Sequence, residues 1–297
     1  MISFVNNDAE KRNLSLINVW AMAFGCMVGW GVFAMAGTTF LPVAGPFGTL
    51  IAMIIGTAVM LVIGKNFTYL MGRTSVTGGI YSYTKEAFGR DHAFLSAWFL
   101  CLSYLTIVFL NGTALFLVVR ILLNHVGGVS YTVAGNTIYL TETVISVLVL
   151  AVVGLLFVAA KPFLQRLHTV LSIVLAAGVV IIALSCLPRA VTSGNVWDFG
   201  ALELPPAYGI FSLVILAPWA FVGFEVTSFD TAHFKFSMRK SRLLIILAIL
   251  GAAFAYTFMT IVSVAAVPEG FSSWQDYILS LDSLAGGESV PIFYVVS

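Results

Sequence analysis

The chain has 297 residues, 60% of them hydrophobic and 9% charged, with 14 Lys and Arg against 13 Asp and Glu. Soluble domains carry about 25% charged residues, and a mean hydropathy of +1.03 leaves too little polar surface to clothe a water-soluble fold. The net charge of +1 is spread over separate loops and forms no basic stripe, so no nucleic-acid partner is expected.

Apolar stretches of about 20 residues cross a hydrocarbon core of roughly 30 Å. Seven are read, near Leu14–Leu41, Phe47–Met71, Ala93–Leu123, Tyr139–Ala160, Leu164–Leu187, Tyr208–Phe229 and Leu243–Val267. The residues leading into them, Asn6–Asn13, are polar. They hold no short apolar region with a small-residue cleavage site, so no removable signal peptide is expected and the first span serves as its own insertion signal. Lys11, Arg12, Arg73, Lys85, Arg90, Lys161, Arg166, Lys235, Arg239, Lys240 and Arg242 all fall to one side, whereas the opposite loops hold only Arg120 and Arg189. Positive loops stay inside during insertion. The expectation is a multi-pass plasma-membrane protein with a cytoplasmic N-terminus.

The first and sixth spans carry interruptions: Gly25-Cys-Met-Val-Gly29-Trp-Gly31, and Pro218-Trp-Ala-Phe-Val-Gly223-Phe-Glu225. Backbone groups freed at membrane depth must face protein or a polar cavity. Interrupted spans at corresponding places of two halves point to the midplane site of an inverted-repeat transporter. Spans one and six run in opposite directions, as such a repeat requires, giving residues 14–187 as a first repeat and 208–297 as the start of a second. Val290–Ser297 reads as the opening of an eighth span cut short, so the sequence is expected to be part of a longer ten-helix core.

The chemistry follows from the backbone. Unwinding near Gly25–Gly31 would start a new helix at Gly31 or Val32, with unpaired N–H groups and a partial positive charge suited to a carboxylate. Freed carbonyls would accept from an ammonium, so a small zwitterion such as an amino acid or related amine fits. The candidate binding residues are Met27, Val28, Gly29, Trp30, Gly31, Asn111, Trp219, Phe221 and Gly223. Glu225, an acid within a span, and Lys65 are candidates for gating or coupling. Each has a plainer alternative. Gly25-x-x-x-Gly29 fits close helix packing, Glu225 could cap the inner half-helix, Asn111 could join helices, the aromatics could simply pack, and Lys65 could snorkel to headgroups. Tyr104 lies seven residues before Asn111 and shares its face. Asp230 and His233 read as solvated positions at the inner end of span six.

Other chemistries find little support. Cys26, Cys101 and Cys186 are odd in number, widely spaced and set in apolar runs, so they read as buried packing residues and not as a disulfide or metal framework. No H-E-x-x-H, G-x-S-x-G or paired intramembrane acid occurs, so no enzyme is expected. A non-transporting scaffold or sensor remains the alternative to a transporter.

These motifs also carry a resemblance. Gly29-Trp-Gly31-Val-Phe33 resembles the G-x-G-I-F signature of amino acid–polyamine–organocation superfamily permeases. Gly78-Gly79-Ile-Tyr81-Ser-Tyr83, Glu86-Ala-Phe88-Gly89 and Ala93–Trp98 are similar to the stretch after that family's second helix. Phe221-Val-Gly223-Phe224-Glu225 and the basic turn Phe234–Lys240 follow in the family's order. The resemblance implies an all-α multi-pass bundle of LeuT-type, five-plus-five inverted-repeat architecture with helices 1 and 6 discontinuous, and secondary transport by alternating access. It implies an aromatic over the ligand at Trp219 and no cofactor beyond a coupling ion, H+ or Na+. Leu175 stands where some members place a helix-five lysine, and Ala232-His233 replaces a pair of acids, so the coupling ion stays open.

Overall fold

Ser15 starts the first helix, α1 (Leu16–Met27), by accepting a hydrogen bond from the Asn18 amide, the usual way an N-cap satisfies an orphan donor. The helix stops at Val28, whose φ of −106° and ψ of 87° are non-helical. It restarts as α2 (Gly31–Met35) and runs through a π-helical turn at Ala36–Phe40 into α3 (Leu41–Arg73). Gly45 breaks α3 with φ 66° just before Pro46, because the proline ring disfavours the helical region for the residue ahead of it. The computed structural model describes residues 13–73, 78–123, 128–133, 136–199, 205–284 and 286–296. The N-terminal stretch assigned to the cytoplasm, including Lys11 and Arg12, lies outside them up to residue 12.

Beyond α3 come α4 (Gly79–Phe88), α5 (Arg90–Leu123), a small antiparallel hairpin of β1 (Ser130–Val133) and β2 (Asn136–Tyr139), α6 (Leu140–Ala159) and α7 (Lys161–Thr192). Then follow α8 (Pro206–Leu216), 3-10 turns at Ala217–Phe221 and Phe224–His233, α9 (Met238–Val262), and the short α10 (Trp274–Leu279) and α11 (Pro291–Val296). Among the described residues six helical stretches are long and apolar enough to cross a membrane, the first being Gly31–Arg73. The sequence count was seven. The difference lies at the start, where the outer half of the first expected span is helically continuous with the second, and α1 at 12 residues is too short alone.

The protein is therefore an all-α multi-pass bundle with one small hairpin. Its core forms where α3 packs against both α8 and α9, with α1 packed on α7 and α9. Val19, Phe24, Met53, Met60, Leu213, Ile245 and Ile249 are buried there. By contrast α5 and α6 turn large apolar side chains outward, Val158 reaching 86% exposure, as suits a helix facing lipid. The expectation that all three cysteines are buried is corrected here: Cys26 and Cys101 are exposed and Cys186 half-buried. Cys101 lines a hollow with Tyr81, Tyr104 and Phe229, and Cys26 faces cavities inside the bundle.

The two interrupted stretches are tied at one end. The amides of Asn13 and Leu14 both donate to the His233 carbonyl at 3.0 Å, and the Lys235 amide donates to the Leu14 carbonyl at 2.9 Å. At the opposite end Asp198 accepts from the Trp274 indole at 3.0 Å and the Gln275 amide at 2.7 Å. The interior between these closures is positioned by both.

Candidate functional site

The first break is narrower than the sequence suggested, spanning Val28, Gly29 and Trp30 between α1 and α2. Val32 and Phe33 donate back to Gly29 and Trp30. The amides of Gly29, Trp30 and Gly31 find no acceptor among the described residues. The second break has Val222 extended (φ −63°, ψ 131°) and Gly223 at φ +123°, a conformation that L side chains rarely adopt.

The breaks meet. A Cβ built on Gly223 would stand 2.7 to 2.9 Å from the Cβ, carbonyl carbon and oxygen of Cys26, so only glycine lets the two backbones approach. Gly25 packs as closely against α7, where a side chain would overlap Ser172, while Gly29 has open space around it. The Gly25-x-x-x-Gly29 pattern thus divides: the first glycine packs helices and the second faces a cavity.

That cavity, of about 400 Å³, is lined by Met27, Gly29, Trp30, Gly31, Asn111 and Trp219 among the expected residues. Val28 and Phe221 are fully buried beside it, and Gly223 acts through its contact with Cys26. Asn111 lines the cavity, but its amide nitrogen donates to the Ile107 carbonyl of its own helix at 2.9 Å. Lys65 is not brought to this place; it lies exposed on α3.

Glu225 is buried behind the cavity. One carboxylate oxygen accepts from the Gly223 amide at 2.8 Å and the other from the Tyr104 hydroxyl at 3.0 Å. The acid therefore pins the break and links it to α5. Two carboxylate hydrogen bonds of this kind offset part of the cost of holding an acid away from water. Asp230 and His233, expected to be solvated, are half-buried and sit 3.4 Å apart.

Sequence reasoning missed Tyr256 of α9. Its hydroxyl donates to the Met27 carbonyl at 3.1 Å, satisfying an acceptor that the break releases, and it stands 3.1 Å from where a Gly31 side chain would begin. Cys26 was also missed as a lining residue. It borders both this cavity and a second one of about 350 Å³ that reaches Lys161, His168 and Asp230. No cluster of three His, Cys, Asp or Glu able to hold a metal occurs among the described residues.

The chain is thus a multi-pass helical membrane protein in which two broken helices meet at a cavity. Residues 14–280 match the family described as amino acid permease, and the chain belongs to that family, one of permeases and not of enzymes. It is similar to the branched-chain amino acid permease BcaP of Bacillus subtilis, 23% identical over 94% of this chain and 60% of the relative. It also resembles an arginine/agmatine antiporter of Chlamydia caviae, 24% identical over 75% of this chain and 46% of the relative, and a methylthioribose transporter of Bacillus subtilis, 29% identical over 31% and 20%. The chain thus spans at most about 60% of the length of these relatives.

Proposed function

We propose that the protein takes part in secondary transport of amino acids across the plasma membrane, by alternating access around the cavity where the two broken helices meet. The observation that carries this reading is the run of amides at Gly29, Trp30 and Gly31 on the cavity wall that find no acceptor among the described residues. A substrate carboxylate would accept from them at the positive end of the helix that begins at Gly31. Carbonyls released at the breaks would receive the ammonium group. The two broken spans, the one at α1 and α2 and the one over Pro206–His233, would then occupy matching places in an inverted repeat, with basic loops and the N-terminus cytoplasmic.

The lining also favours a substrate class. Met27, Trp30, Ile107, Leu110 and Trp219 surround the space, and no Asp, Glu, Lys, Arg or His among the described residues does so. A cationic side chain would find no countercharge, so a neutral amino acid with an apolar side chain fits best. Glu225, held by Gly223 and Tyr104, serves to fix the break and is the candidate group for coupling.

The test is counterflow uptake of labelled amino acids into liposomes carrying the gene product. Uptake of neutral apolar amino acids in preference to arginine is expected, and Gly31→Val should abolish it while membrane insertion is kept. A β-branched side chain there would meet the Tyr256 hydroxyl and crowd the bound carboxylate. Unchanged uptake in Gly31→Val would refute the site, and absence of uptake for every amine and amino acid would leave a scaffold or sensor.

A further inference from the structure

Away from the midplane, three arginines converge on one hollow at the end of the bundle where the basic loops gather. Arg73 closes α3, and Arg239 and Arg242 stand in the opening turns of α9. All three line a space of about 730 Å³ together with Tyr69 and Met238. Arg239 and Arg242 are three residues apart and so share a face of their helix, and α3 packs alongside α9, which brings Arg73 to the same place.

The charge balance there is one-sided. No Asp or Glu among the described residues lines the hollow. Arg73 is shared with an adjoining space that Glu86 borders, and one of its nitrogens donates to the Tyr69 hydroxyl at 3.4 Å. Arg239 and Arg242 make no ion pair among the described residues. Three guanidinium groups around one opening repel one another, and an anion between them relieves that repulsion. Guanidinium forks suit phosphate oxygens, which they can bind bidentately. The Tyr69 hydroxyl accepts from Arg73 and keeps its own hydrogen to donate.

The surface next to the hollow decides between a soluble and a lipid phosphate. On α9, Leu243, Leu247 and Leu250 are exposed and follow Arg239 at helical spacing. On α3, Val59 and Val62 are exposed on the turns that lead toward Tyr69, which is itself exposed. A free phosphate would answer the charge and leave this apolar track bare. A phospholipid answers both, with its headgroup among the arginines and an acyl chain along the leucines. Basic pockets between membrane helices bind anionic headgroups in this manner.

We propose that the hollow bounded by Arg73, Arg239 and Arg242 is a binding site for the phosphodiester headgroup of an anionic phospholipid. This site is separate from the transport cavity and does not depend on what that cavity carries.

The test places the purified chain in nanodiscs of phosphatidylcholine containing a minor fraction of phosphatidylglycerol, then counts the lipids that stay bound by native mass spectrometry. Retention of phosphatidylglycerol over phosphatidylcholine is expected. A cation near a membrane surface contributes about 1 kcal/mol, or about fivefold in affinity, so replacing both Arg239 and Arg242 with Gln should lower that retention by roughly 25-fold. Arg239→Lys with Arg242→Lys should restore much of it, which separates lost charge from lost fold. Lys240→Gln, a neighbouring cation outside the hollow, should change retention less than about twofold if the hollow and not general charge is responsible.

Three results would overturn the proposal. One is equal retention by the wild type and the double Gln variant. Another is no preference for phosphatidylglycerol in the wild type, which is also the outcome if another protein segment covers this face. The third is protection against thermal unfolding by inorganic phosphate as strong as that given by the lipid, which would make the occupant a soluble anion.

Discussion

Helices α6 and α9 are both apolar enough to span a membrane, yet only 11% of the apolar stretch of α6 is buried inside the protein, against 61% of that of α9. What differs is the kind of residue. The outer helix is built from Val, Leu and Phe, with Leu155 and Val158 turned outward. The inner one buries Ala248, Ala252, Ala255, Tyr256, Thr257 and Thr260. Hydrocarbon is as apolar as leucine, so apolarity alone does not draw a helix inward; small residues that allow close approach and polar groups that find partners do. The breaks, Glu225 and Tyr256 all lie in the inner layer.

That contrast predicts which substitutions matter, beginning where two backbones touch. Gly223→Val should abolish uptake and lower the thermal unfolding temperature, measured in the same liposome and detergent preparations. Holding a non-glycine residue at φ +123° costs about 1–3 kcal/mol, and the added carbon must also displace Cys26. A variant with full uptake would show that the two breaks need not meet.

Glu225→Gln should come next. The carboxylate accepts from both Gly223 and Tyr104, and hydrogen bonds to a charged group contribute about 1.5–3 kcal/mol. Roughly a tenfold fall in initial uptake rate is therefore expected. Lys65→Gln, on the exposed side of α3, should change it less than about twofold. Equal effects would mean that the exposed cation matters as much as the buried acid, against the division of layers.

Much of this inner layer was legible in the sequence, and the reason is local chemistry. Gly29-Trp-Gly31 and the Pro218 to Glu225 stretch announce their breaks because glycine and proline act on their own backbone. The structure interrupts the chain at Val28–Trp30 and Val222–Gly223. Tyr104 stood out as a polar group in an apolar run, though its partner Glu225 lies 121 residues away. Tyr256 gave no such sign. It sits in a long apolar helix and meets Met27 across 229 residues, a contact set by how α9 packs on α1. The first and second spans were also separated too cleanly, since Gly45 bends a helix that the sequence reads as ended at Leu41. Cys26 looked like packing because its neighbours are apolar, and only the meeting of the two breaks puts it on a cavity wall.

Tyr256→Phe isolates that hidden contact. It removes one hydroxyl and keeps the ring against Phe40, whose centre is 5.8 Å away. A neutral hydrogen bond contributes about 1 kcal/mol, so apparent substrate affinity should weaken about fivefold with the maximal rate nearly kept. Loss of insertion or of all uptake would assign Tyr256 to the fold and not to the break.

The smallest effect belongs to the outer layer. Leu155 on α6 is 68% exposed, so in a bilayer its side chain meets acyl chains before and after the helix packs. Leu155→Ala leaves no cavity inside the protein and frees no polar group. The change in stability should stay within about 0.5 kcal/mol, and uptake should match the wild type. A shift of several kcal/mol, the range for large-to-small changes in a packed core at about 2–5 kcal/mol, would mean that α6 is covered by protein in the membrane. Its exposed face would then belong with the inner layer.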